Sequence, residues 1–153
     1  MLAGLAGGIV SLMLSSFLYG VSAPVLFNPQ FQSPKILALY FALQPLPWLV
    51  ANPAAFAAGW VTVGLLRGIV FAWLSPGLSG VGTRKGLNFG VVTWLTVVMF
   101  SEFYTAINLF GEPFPLVSLE LVMLLVTFLA EGWVFGFVYA RSRTVRSDEA
   151  ASA

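Results

Sequence analysis

A chain of 153 residues that is 59% hydrophobic and only 8% charged, with a mean hydropathy of +0.93, does not have water as its solvent. Seven basic and six acidic residues leave a net charge of +1, too sparse a set for a nucleic-acid footprint, so no nucleic-acid partner is expected. Cysteine and histidine are both missing, which removes disulfides, thiolate catalysis, imidazole bases and most zinc, haem and copper ligation; no cofactor and no metal are expected.

Residues 2–20 form the first apolar stretch. Val21-Ser22-Ala23 has the small-residue character of a signal cleavage site. Against cleavage, no Lys or Arg precedes the stretch, it is long for a signal core, and Pro24 would follow the cut, so it is expected to stay as a membrane helix. Residues 36–52 are apolar but interrupted by Pro45 and Pro47 and followed by Pro53, which makes them too short to span. An interfacial or re-entrant segment over about 36–50, with Tyr40 and Trp48 at headgroup level, is the expectation, and a fifth span the alternative.

Residues 53–74, 87–108 and 116–140 are three further stretches, each near or above the roughly 20 residues that cross a hydrocarbon core. Between them, residues 75–85 carry the Pro, Gly and Ser of a loop, and Gly111-Glu112-Pro113-Phe114-Pro115 reads as a tight turn. The predicted fold class is an all-α integral membrane protein, a four-helix transmembrane bundle with one domain over residues 1–141. Residues 142–153 are expected as a disordered cytoplasmic tail.

With four spans, Arg84, Lys85, Arg141, Arg143 and Arg146 fall on one side and Lys35 alone on the other. The positive-inside rule then puts both termini in the cytoplasm and the protein in a cell membrane.

Two alignments hint at an internal repeat. Gly4-Leu5-Ala6-Gly7-Gly8 pairs with Gly86-Leu87-Asn88-Phe89-Gly90, and Arg67-Gly68-Ile69-Val70-Phe71 with Glu131-Gly132-Trp133-Val134-Phe135. The offsets are 82 and 64 residues, so 18 extra residues belong to the first half's outer loop, where the interfacial segment lies. Two such halves run in the same direction and would be related by a pseudo-twofold axis along the membrane normal. Each span also carries glycines four apart, Gly4 and Gly8, Gly64 and Gly68, Gly86 and Gly90, Gly132 and Gly136, a spacing that lets backbones approach closely. These pairs predict a bundle tight toward the cytoplasm and wider outside, where Phe100, Phe103, Tyr104, Phe110 and Phe114 gather.

Four ionisable residues fall at membrane depth: Arg67, Glu102, Glu120 and Glu131. Each is costly there without a partner or water. Arg67 and Glu131 share a depth and form a candidate bidentate ion pair, either a register clamp or part of an ion or substrate site. Glu102 and Glu120 share a shallower depth, and with Ser101, Thr105 and Asn108 they form a candidate polar vestibule. Glycine-rich residues 77–86 lack the strand and the Lys-Ser/Thr of a phosphate loop.

The run Lys85-Gly86-Leu87-Asn88-Phe89-Gly90-Val91-Val92-Thr93-Trp94-Leu95, then Pro113-Phe114-Pro115 and Gly136-Phe137-Val138-Tyr139-Ala140-Arg141, resembles small uncharacterised bacterial four-helix membrane proteins. The resemblance covers the C-terminal half and implies an inner-membrane location with no assigned activity. No spacing of nucleophile and base is visible, so an enzyme is not expected. The leading expectation is a structural or accessory subunit that packs against a membrane-protein partner or its own copies. The alternative is a small solute or ion permeation unit using Arg67, Glu102, Glu120 and Glu131.

Overall fold

The computed structural model describes the backbone of residues 1–151 and the side chains of residues 1–142. Among these residues every regular element is helical and no strand forms. Four helices are long and apolar enough to cross a membrane: Leu2–Leu26, Pro53–Leu74, Thr83–Leu109 and Phe114–Ser142, here the first to fourth spans. The chain is thus a multi-pass, all-α membrane protein, in which each span satisfies its backbone polar groups internally.

Several boundaries differ from expectation for local reasons. The first span runs on to Leu26 with Pro24 inside its last turn, where the missing N–H costs one hydrogen bond close to the end. Asn52 fixes the start of the second span, its Oδ1 accepting from the Ala55 N–H at 3.1 Å with Pro53 in the first helical position. The third span begins at Thr83, so Arg84, Lys85 and Gly86 lie in its first turn rather than in the loop. Gly111, at φ +65°, makes the sharp turn into the fourth span. The fourth helix continues in backbone to Ala151, through most of the stretch expected as a tail. Residues 152–153 and the side chains of Arg143 and Arg146 lie outside what is described.

Between the first two spans the chain forms helix Pro34–Leu37, a wide π turn over Ala38–Ala42, an extended break at Leu43 and helix Trp48–Ala51. None of these pieces is long enough to be a fifth span. The third span is α-helical over Thr83–Thr93, then widens into π turns at Trp94–Val98 and Glu102–Leu109. Each wide turn inserts a residue relative to the α spiral and re-aims the side chains beyond it.

The spans pack as a row. The third lies on the fourth, the fourth on the first and the first on the second, while the second meets the fourth over a short stretch only. The fourth span is the hub, with 50% of its most apolar stretch buried, against 17% in the first and second and 22% in the third.

Glycines make both outer joints. A Cβ on Gly4 would lie 2.9 Å from Leu65 Cα, and one on Gly8 3.2 Å from Gly64 Cα, so the first and second spans touch backbone to backbone. The third and fourth do the same, since a Cβ on Gly86 would lie 2.8 Å from Gly136 N and one on Gly90 2.5 Å from Phe128 O. Removing side chains at these points supplies the close van der Waals contact that lipid cannot drive hydrophobically.

Along the hub the interior is layered. Nearest the Arg84 end lies an aromatic layer of Phe71, Phe89 and Phe135, edged by Tyr139. Then comes the ionic pair of Arg67 and Glu131. Beyond it is an aliphatic layer of Val98, Val117, Leu121 and Leu124, closed by Phe128. At the far end the packing opens into a cavity.

Candidate functional site

Arg67 and Glu131 meet. Arg67 Nη2 donates to Glu131 Oε1 at 2.9 Å, and Arg67 Nε donates to the same oxygen at 3.2 Å. Both guanidinium donors converge on one oxygen, which differs from the two-oxygen fork expected from the sequence, where each oxygen takes its own N–H. The Glu131 side chain is 2% exposed and the Arg67 side chain 18%. The Phe128 ring lies 4.8 Å from the guanidinium carbon, a cation–π contact that replaces part of the lost hydration. The carboxylate reaches this place because Gly7 and Gly64 present no side chains: a Cβ on Gly7 would lie 3.2 Å from Glu131 Cγ, and one on Gly64 3.4 Å from its Oε1.

Glu102 and Glu120 also share a site, on the far side of the aliphatic layer. They face a cavity of about 240 Å³ whose walls include Ser101 and Thr105 of the third span. Asn108 is not in it. Ser101, just before the wide turn at Glu102–Leu109, faces the cavity with Glu102, Thr105 and Ala106 of that turn, while Asn108 lies outside, beside Phe100, Phe103 and Tyr104. Those aromatics do not fill the vestibule either: Phe100 and Tyr104 stack on each other at 5.6 Å on the outer face, and only Phe110 of the expected group lines the cavity.

Four polar residues of the vestibule were not expected there from the sequence, which put Tyr40 at headgroup level and Glu112 in a tight turn. Tyr19 comes from the first span, Glu112 from the turn before the fourth, and Gln32 and Tyr40 from the segment between the first two spans. Gln32 Nε2 donates to Glu112 Oε1 at 2.7 Å and to the Leu26 carbonyl at 2.9 Å. Burial pushes the Tyr40 phenol above its ordinary range, and the carboxylates of Glu120, Glu112 and Glu102 push it further in the same direction. It is therefore a neutral hydroxyl across the physiological range. The only signal for these residues in the sequence was their polarity next to span ends.

The polar groups do not form a continuous path. The cavity ends before the Arg67 and Glu131 pair, and Val98, Leu121, Leu124 and Phe128 lie between them. Among the described residues no group of three or more His, Cys, Asp or Glu side chains is placed to hold a metal ion.

Fold and site together define a small polytopic helical bundle with a buried ion pair and a polar cavity. Comparison with protein-family models, curated proteins and solved structures finds no match to this chain.

Proposed function

We propose that this protein is a structural or accessory subunit of a membrane assembly, packing against another membrane protein or against copies of itself. The observation that carries this reading is the use of the deepest charges. Arg67 and Glu131 satisfy one another between glycine backbones and aromatic rings, and an apolar layer separates them from the cavity that Glu102 and Glu120 line. A pair spent in this way fixes helix register instead of offering itself to a solute. The first, second and third spans meanwhile keep most of their apolar surface for lipid or a neighbour. The test is purification of the native protein in mild detergent or nanodiscs, with its mass and co-purifying chains recorded. A stoichiometric foreign subunit or a defined homo-oligomer is the expected result, and a lone monomer overturns it.

A second reading, a small cation or solute permeation unit, is favoured by the cavity wall that brings Glu102 and Glu120 together without a basic side chain among its lining residues. Cation flux into proteoliposomes, abolished in a Glu102→Gln, Glu120→Gln chain, would select it.

We also infer that the two helix pairs are tandem copies about a pseudo-twofold axis. Two contacts between span pairs support this, because each has a counterpart at aligned positions. Gly4 against Gly68 matches Gly86 against Gly132, and Gly8 against Gly64 matches Gly90 against Phe128. Arg67 with Glu131 and Phe71 with Phe135 each join aligned positions to one another, as contacts on a twofold axis do. The proposed location is an inner membrane with both termini cytoplasmic, supported by the basic residues Arg84, Lys85 and Arg141 at one end of the bundle.

A further inference from the structure

We propose that the segment joining the first and second spans is a latched lid over the vestibule, with Gln32 and Glu112 as its latch and Ile36, Leu39 and Tyr40 as its moving roof. The inference goes beyond the subunit reading and does not depend on it. The second span contributes nothing to the cavity wall, and its place is taken by this segment.

The two parts of the segment are held differently. The part nearest the first span is tied by polar contacts to the opposite end of the cavity rim. Gln32 is 6% exposed and Glu112 5%, and they share a 2.7 Å hydrogen bond. Ser33 N donates to Gln32 Oε1 at 2.6 Å, which holds the amide with its nitrogen toward Glu112. Ser33 Oγ donates to the Phe110 carbonyl, and Lys35 Nζ to the Leu109 carbonyl at 3.2 Å. These bonds cap the last carbonyls of the third span, so the latch also closes that helix end.

Past Lys35 the character changes. Among the described residues no hydrogen bond joins residues 36–51 to any span. The roof rests on apolar contact: Ile36 is buried, and Phe27 meets Tyr40 at 5.2 Å and Phe41 at 5.6 Å, both edge to face. Its first turn belongs to helix Pro34–Leu37, whose Leu37 N–H donates to Ser33 O at 3.1 Å, so the latch holds the roof down at one end while the extended break at Leu43 leaves the other end free to hinge. A covering element held by apolar contact and anchored by a buried polar cluster has the construction of a gate.

The native chain has no cysteine, so a single introduced thiol reports on the cavity without background. Ser101→Cys places that thiol on the cavity wall with little change of shape. The probe is a membrane-impermeant methanethiosulfonate bearing a trimethylammonium head, chosen because the cavity lining carries carboxylates and no basic side chain. In nanodiscs, where both faces are open to the reagent, the Ser101→Cys thiol is expected to react at least tenfold faster once Tyr40→Ala or Gln32→Leu is added. Trp48→Ala, which is in the same segment but not in the cavity lining, leaves the rate unchanged. Tyr40→Ala removes no hydrogen bond, so it decides the question even where loss of the latch impairs folding. An unchanged rate in Tyr40→Ala overturns the lid, and so does equal acceleration by Trp48→Ala. An unchanged rate in well-folded Gln32→Leu overturns the latch. Labelling reads access alone, so its failure is separate from any result of the co-purification experiment.

Discussion

Arg67 and Glu131 are unequal partners. The carboxylate is the more deeply buried of the two, and both of its recorded hydrogen bonds come from the one guanidinium. Removing Arg67 therefore strands a charge in a site built for a paired one, and Arg67→Ala is expected to lower stability by about 3–5 kcal/mol. The loss is read as a lower midpoint of thermal unfolding in detergent. Arg67→Met combined with Glu131→Leu removes both charges at similar volume and is expected to recover most of that loss, because replacing a buried pair by apolar groups is often neutral. If the double variant is as unstable as the single one, the pair does more than neutralise itself. Arg67→Lys should fall between, since one ammonium cannot reproduce two donors set by a rigid plane.

At the scale of the element, the glycines decide how close the helices come. A side chain on Gly86 would collide with the Gly132 backbone, whereas one on Gly59 would meet nothing within 4 Å. Gly86→Leu is expected to cost about 1–3 kcal/mol or to separate the third span from the fourth, and Gly59→Leu to leave the unfolding midpoint unchanged. Equal effects would mean that glycine content, not glycine position, sets the packing. The four spans and these small-residue joints were legible in the sequence, because length, hydropathy and spacing are one-dimensional properties. So was the pairing of Arg67 with Glu131, which followed from matching depth along two spans. The inward face of the third span was not. Asn108 is grouped with the vestibule by nearness along the chain, and nearness does not fix which way a side chain faces once the helix widens from Trp94 onward. The latch was also hidden, because Gln32 and Glu112 are 80 residues apart and nothing local marks either one.

For the molecule as a whole, the first and third spans meet the hub in different ways. Gly7 lets the first span close on Phe135 and Glu131 of the fourth, whereas the third span sets the Phe89 ring against Phe71 and Phe135. Orientation is tested at the same scale. A fluorescent protein fused after Ala153 is expected to fold and fluoresce in a bacterial host, whereas a reporter active only outside the cytoplasm stays silent there; the reverse pattern would invert the topology.

The clamp also has a consequence for biogenesis. Ribosomes make Arg67 well before Glu131, with the whole third span between them. During that interval the second span enters the membrane carrying an uncompensated guanidinium, which costs about 2.5–3.5 kcal/mol on insertion scales near a helix centre. Its full insertion is expected only once the fourth span arrives. A nascent chain arrested after Leu109 should show the second span inserted only in part by glycosylation mapping, and restoring the fourth span, but not a fourth span carrying Glu131→Leu, should complete its insertion.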